Sequence, residues 1–139
     1  MVQPRRARIA IGVASAILLG GAAAGVLFET GHERSQLRAR AADITGGDPS
    51  RGAAMFIQYG CGSCHGAKHV RKASGAVGPP LDGIAVRAVI AGKLSNTPDN
   101  LEAWIRDPQR ISPGTAMPDL NVGERDARDI SAFLYPRAE

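Results

Sequence analysis

Cys61-Gly62-Ser63-Cys64-His65 decides how this chain folds. Two thiols at this spacing, followed at once by an imidazole, form the C-x-x-C-H pattern that attaches a c-type haem. Each thiol can add to a vinyl group on one edge of the same porphyrin. The next residue then lies beside the ring and can offer a nitrogen to the iron. A second axial ligand is needed, and the best candidate is Met117, downstream in Pro113-Gly114-Thr115-Ala116-Met117-Pro118. A Met/His pair raises the reduction potential of the iron, which suits an electron carrier.

Paired cysteines also serve redox dithiols and structural zinc. A dithiol of the first kind belongs beside a βαβ pattern, and no such strands are legible here. A zinc site needs further Cys or His ligands. The chain has two cysteines in all, and the other histidines are His32 and His69.

Six residues are aromatic, Phe28, Phe56, Tyr59, Trp104, Phe133 and Tyr135, among 139. That is thin for the core of a single domain. A buried porphyrin would supply the missing apolar surface, so folding is expected to depend on it. Both cysteines are committed to the haem, which leaves none for a disulfide. The net charge of +4 is unevenly placed. From Asp43 onward there are 11 Lys/Arg and 11 Asp/Glu, and the excess comes from six Arg against Glu29 and Glu33 before that point. The basic balance therefore reflects membrane topology and a linker, and nucleic acid is not an expected partner.

Residues 1–8 read as a cytoplasmic N-terminus. Residues 9–28 are 20 without a charge, preceded by Arg5, Arg6 and Arg8. At 1.5 Å rise per residue such a run crosses a hydrocarbon core of about 30 Å. The leading arginines favour a cytoplasmic start. A transmembrane anchor is the preferred reading. A cleaved signal peptide is the alternative: its apolar region is usually shorter, although Ala22-Ala23-Ala24 offers small residues for a peptidase. Small residues recur at Gly12, Ala16, Gly20 and Ala24, a spacing that lets a second helix approach. The same matches arise by chance in any span rich in Ala and Gly. Residues 29–47 read as a polar linker, a flexible tether with at most a short helix over 33–42.

The folded domain is expected over residues 48–139. Asp48 suits an N-cap and Pro49 the first helical position. The helix should run to about Tyr59, with Ala53, Phe56 and Ile57 on its apolar face, and Gly60 should end it. A second helix fits Asn100 to Asp107, capped by Thr97 or Asp99 and stopped by Pro108. Leu101, Trp104 and Ile105 share one of its faces. A last helix fits 123–135.

From Gly46 to Pro136 the sequence resembles class I cytochromes c. Gly52 and Phe56 match positions where that family's first and last helices cross, and Phe133 and Leu134 match the partner side. The resemblance implies an all-α fold around one covalent haem c, here preceded by a single N-terminal transmembrane helix. It implies that the carbonyl of Pro79, in Gly78-Pro79-Pro80-Leu81, accepts a hydrogen bond from the His65 ring and orients it. It places Leu81 and Trp104 against the haem and Arg87 near the propionates, where guanidinium pairs well with carboxylate. The loop from Ile111 to Pro118 matches the family's distal loop, with Met117 as ligand. Met55 and His69 are the rivals: Met55 sits in the first helix, and His69 is four residues from His65 on the same side of the ring.

An iron with both axial positions filled has no place for a substrate, so the expectation is an electron carrier and not an enzyme. The resemblance implies a membrane-anchored monohaem carrier of a respiratory chain. It would pass electrons from a quinol-oxidising complex or a periplasmic dehydrogenase to a terminal oxidase. It would sit on the bacterial inner membrane, with the haem domain in the periplasm. The alternatives are a fixed haem subunit of a multi-subunit membrane oxidoreductase and, less favoured, a haem-based gas sensor. Lysines near the haem are few: Lys68 and Lys72, beside His69 and Arg71, and Lys93. That group reads either as a docking patch or as a solvated loop.

Overall fold

The computed structural model describes residues 4–135, with side chains from residue 19 onward. The first element is a helix, α1 (Pro4–Thr45). The chain divides into two compact units, one through Gln36 and one from Leu37. In the first unit Leu19, Val26, Leu27 and Phe28 are exposed. The Phe28 and His32 rings stack at 6.2 Å, and Gln36 meets His32 Nε2 at 2.9 Å.

One expectation for this segment needs adjustment, and another lies partly outside the described residues. Residues 29–45 are helical, so the expected flexible tether is a helix. Its stretch 33–42 carries Gln36, Leu37, Arg38, Ala41 and Ala42, good helix formers free of Gly and Pro. Among the described residues no helix is long and apolar enough to cross a membrane. The anchor expected over 9–28 falls partly outside the residues whose side chains are described, which begin at Leu19.

In the second unit α1 ends at a left-handed glycine, Gly46 (φ +68°). Helix α2 (Pro49–Gln58) starts as the sequence predicts: the Asp48 carboxylate accepts from the N–H groups of Ser50 and Arg51, and Pro49 fills the first position. Gly60 (φ +69°) turns the chain out of it, the left-handed exit that glycine takes at least cost. The buried face is Gly52 and Phe56. Ile57, expected inside, is 65% exposed: one residue on from Phe56 is a rotation of about 100° around the helix.

The cysteine motif begins with a tight 3₁₀ turn, Cys61–Ser63. An irregular loop follows, closed by a single bridge between Gly66 and Ser74. The fold is helical but not purely so. Strands β1 (Val89–Ile90) and β2 (Leu94–Ser95) form an antiparallel hairpin, with Val89 opposite Ser95 and Ile90 opposite Leu94. Its turn holds Ala91 and Gly92 at positive φ, as in the mirror-image turns that suit hairpins. Two-residue strands are too short to show alternation, so the sequence does not reveal them.

Helix α3 (Pro98–Arg106) is capped by Thr97, whose hydroxyl accepts from Asn100 N–H at 3.2 Å. Pro108 does more than stop it. With Asp107 as cap, it opens a further short helix, α4 (Pro108–Ile111). Helix α5 (Glu124–Leu134) closes the domain and crosses α2. At the crossing Gly52 lies so close to the Asp129 carbonyl that any Cβ would overlap it. Phe56 packs on Phe133 at 5.6 Å and 54°. Asp129 is 1% exposed and is fully engaged there. Arg51 grips it through Nε and Nη2, and the Asp48 N–H donates to it at 2.8 Å. Buried charges persist when paired in this way. Phe56, Leu101, Trp104, Ile105, Ile130 and Leu134 form the centre of the core.

Candidate haem site

The core encloses a cleft of about 470 Å³. Its walls come from α2, α3 and α5, its lower rim from the cysteine motif and its far rim from the loop before α5. Cys61, Cys64, His65 and Met117 all line it, together with mainly apolar side chains. Burial pushes the Cys61 thiol up from the ordinary thiol range. A reactive dithiol needs the reverse, a lowered value in an electropositive setting. Among the described residues no three His, Cys, Asp or Glu side chains are grouped to hold a metal ion, so a zinc site lacks its ligands.

The His65 ring is held by one bond, Nδ1 to the Pro79 carbonyl at 2.8 Å. A carbonyl only accepts, so Nδ1 carries the proton and Nε2 keeps its lone pair. That is the tautomer a metal ligand requires, oriented by an outer partner. The loop that delivers Pro79 is tied to the motif by main-chain bonds. Gly75 N–H donates to Gly62 (3.2 Å), Gly78 N–H to Cys64 (2.8 Å) and Leu81 N–H to Gly66 (2.8 Å). Gly78 faces the imidazole directly: a Cβ there would stand 2.6 Å from Nδ1.

Met117 is half-buried on a loop with two prolines and Gly114 at φ +82°. The amide of Gln109, on α4, spans that loop. Its Nε2 donates to the carbonyls of Thr115 (2.8 Å) and Met117 (2.7 Å), and its Oε1 accepts from Gly114 N–H (3.2 Å). Neither Met55 nor His69 is among the residues lining the cleft. The donor set therefore fits a covalently held haem: two thiols, an imidazole with a free Nε2 and a thioether, around an apolar slot.

Comparison with known proteins agrees. The family model described as cytochrome c matches residues 49–135. This chain belongs to the cytochrome c family. Membership implies covalently bound haem c and electron transfer. The chain is 38% identical over 86 residues to cytochrome c oxidase subunit 2 of Alkalihalophilus pseudofirmus, an alignment covering 61% of this chain and 24% of the relative. It is 31% identical over 83 residues to the subunit of the same name from Bacillus subtilis, covering 55% and 23%. The chain thus spans about a quarter of the length of these curated relatives. No solved structure matches.

The haem-site residues expected from the sequence of this cytochrome border the same cleft: Cys61, Cys64, His65, Pro79, Leu81, Arg87, Trp104 and Met117. Trp104 is 8% exposed and packs in the central core as well as on the cleft. Arg87 is half-buried. Its Nη2 donates to the carbonyls of Pro80 and Asp82, so it braces the loop that carries Pro79. Three residues of this cytochrome escaped the sequence reading. Gly78 makes room for the imidazole, Gln109 spans the Met loop, and Asn96 donates to the carbonyls of Ile84 (2.6 Å) and Arg87 (2.8 Å). Gly78 acts by its lack of a side chain and the two amides by bonds to main-chain atoms, and no residue pattern signals either.

Proposed function

We propose that this cytochrome is a membrane-anchored monohaem electron carrier of a respiratory chain. The observation that carries the reading is that His65, with Nε2 free, and Met117 line the same apolar cleft. Cys61 and Cys64 would hold a single haem, since the chain has no other cysteine. His65 and Met117 would hold its iron, leaving no site for a substrate. The haem supplies a one-electron couple. The apolar lining would exclude water from it, and the bonds to the His65 ring and the Met117 carbonyl would hold both residues in place.

The uncharged run 9–28 behind three arginines supports an anchor in a bacterial inner membrane, with the N-terminus cytoplasmic. The exposed Leu19, Val26, Leu27 and Phe28 are in keeping with lipid contact. The haem domain would then face the periplasm. The oxidase subunits among its relatives support a terminal oxidase as electron acceptor. The donor would be a quinol-oxidising complex or a periplasmic dehydrogenase. A second reading is favoured by the same relatives: a fixed haem subunit of a membrane oxidoreductase. Purification in mild detergent separates the two, a stoichiometric complex supporting the subunit and an isolated chain the carrier.

The decisive test is carbon monoxide binding to the reduced protein. Wild type is expected to resist it and Met117→Ala to bind it. Ready binding by wild type would leave the sixth position open and move gas sensing to the front.

A further inference from the structure

We infer that Gln109 is the positioning residue that keeps Met117 on the iron, a role that rests on the proposed ligation. The side chain leaves α4, a turn that is itself fixed. Pro108 is buried at its start, and the Asp107 carboxylate caps it by accepting from Arg110 N–H at 2.9 Å. From this base one amide satisfies three main-chain groups, at residues 114, 115 and 117. They bracket the thioether and include the carbonyl of Met117 itself. The amide can point in one sense alone, because the two carbonyls need donors and the Gly114 N–H needs an acceptor.

The loop has few other restraints. Pro113 and Pro118 have no N–H to give. Its main chain is otherwise bonded from Ser112 N–H to Pro108 and from Thr115 N–H to Ser112, both before the ligand. Downstream of Thr115, the Gln109 amide is what ties the Met117 main chain to a helix. An iron–thioether bond is weak enough to open thermally, and its rate of reclosing depends on how the loop is held. Loss of the amide should therefore show as an opening of the sixth position, separately from any loss of global stability.

The experiment uses the full-length, haem-loaded protein and compares wild type, Gln109→Met, Gln109→Glu and Met117→Ala. The readouts are the rate of carbon monoxide binding to the reduced haem, the iron–thioether charge-transfer band of the oxidised haem, and the thermal midpoint. Gln109→Met keeps length and apolar bulk but removes all three bonds. Its binding rate should rise about tenfold, equivalent to about 1.4 kcal/mol, and its charge-transfer band should weaken. Gln109→Glu keeps the acceptor for Gly114 but sets a carboxylate against two carbonyls. Its rate should rise more at neutral pH and fall back toward wild type as the pH drops and the introduced carboxyl regains a donor. A purely structural role would lower the thermal midpoint without this pH-dependent rescue. If wild type and both Gln109 variants are equally closed while Met117→Ala is open, the ligand reading stands and the positioning role is overturned. If wild type itself binds readily, Met117 ligation fails and the role fails with it. Should Gln109→Met not assemble with haem, the pH series of Gln109→Glu decides.

Discussion

His65 shows how a ligand is made from two levels of information. The C-x-x-C-H pattern marks it from the sequence, but its tautomer is set by the Pro79 carbonyl, 14 residues on. Gly78 is as necessary as the bond. Gly78→Ala would set a methyl group into the imidazole, so the ring or the 75–81 loop must move. Overpacking of this kind costs about 1–3 kcal/mol. The expected outcome is a lower thermal midpoint together with an altered haem spectrum, as His65 loses its bond to Pro79. An unchanged spectrum would mean that the ring position is not set by Gly78. His65 and Met117 were legible because their side chains carry the chemistry. Gly78 and Gln109 were not, because one contributes absence of bulk and the other bonds to carbonyls of a loop whose path is unknown beforehand.

Helix ends follow the sequence closely. Asp48-Pro49, Gly60 and Thr97-Pro98 each stand where the capping rules put them. Thr97→Ala removes the acceptor for the Asn100 N–H and should cost about 1 kcal/mol in chemical denaturation, as N-cap truncations do. No loss would mean that water or Asp99 replaces the cap. Contacts between elements give a second prediction, in pH. The Tyr59 hydroxyl donates to Asp126 at 2.8 Å and ties the end of α2 to the start of α5. That hydrogen bond, followed by burial, raises the phenol above the ordinary tyrosine range. A group raised on folding contributes its stability in full below the unfolded value and loses it as pH climbs through the folded value. Tyr59→Phe should therefore be less stable than wild type at neutral pH, and the difference should vanish in strong alkali. A gap that persists there would assign the effect to packing instead. The same scale holds the sequence reading's errors. Periodicity marked an apolar face on α2 but misjudged its edge at Ile57. The 89–95 hairpin and α4 were too short to leave a pattern.

Taken as a whole, the second unit has core residues that pack on one another and also border a cleft. Leu101, Trp104, Ile105, Ile130 and Leu134 all line it. Without a porphyrin the cleft they border would be left unfilled, and a cavity of that kind is destabilising. The double substitution Cys61→Ala with Cys64→Ala, which removes covalent attachment, is expected to abolish the cooperative thermal transition and the near-UV signal of Trp104. A cooperative transition retained without haem would show that the protein packs its own core. The mass of the purified haem protein tests the N-terminal segment: the full chain plus one haem supports a retained anchor, and a loss of about 20–30 residues supports a cleaved signal peptide. The sequence by itself determined the haem-attachment motif, the caps of α2 and α3 and the family, because each is written in local residue types at fixed spacing. Tertiary structure alone decided which nitrogen of His65 is free, what Arg87 grips, how Asp129 is satisfied and what holds the Met117 loop. Those depend on main-chain atoms and on contacts between residues far apart in the chain, and hydrogen-bond geometry comes into being only once the elements have packed.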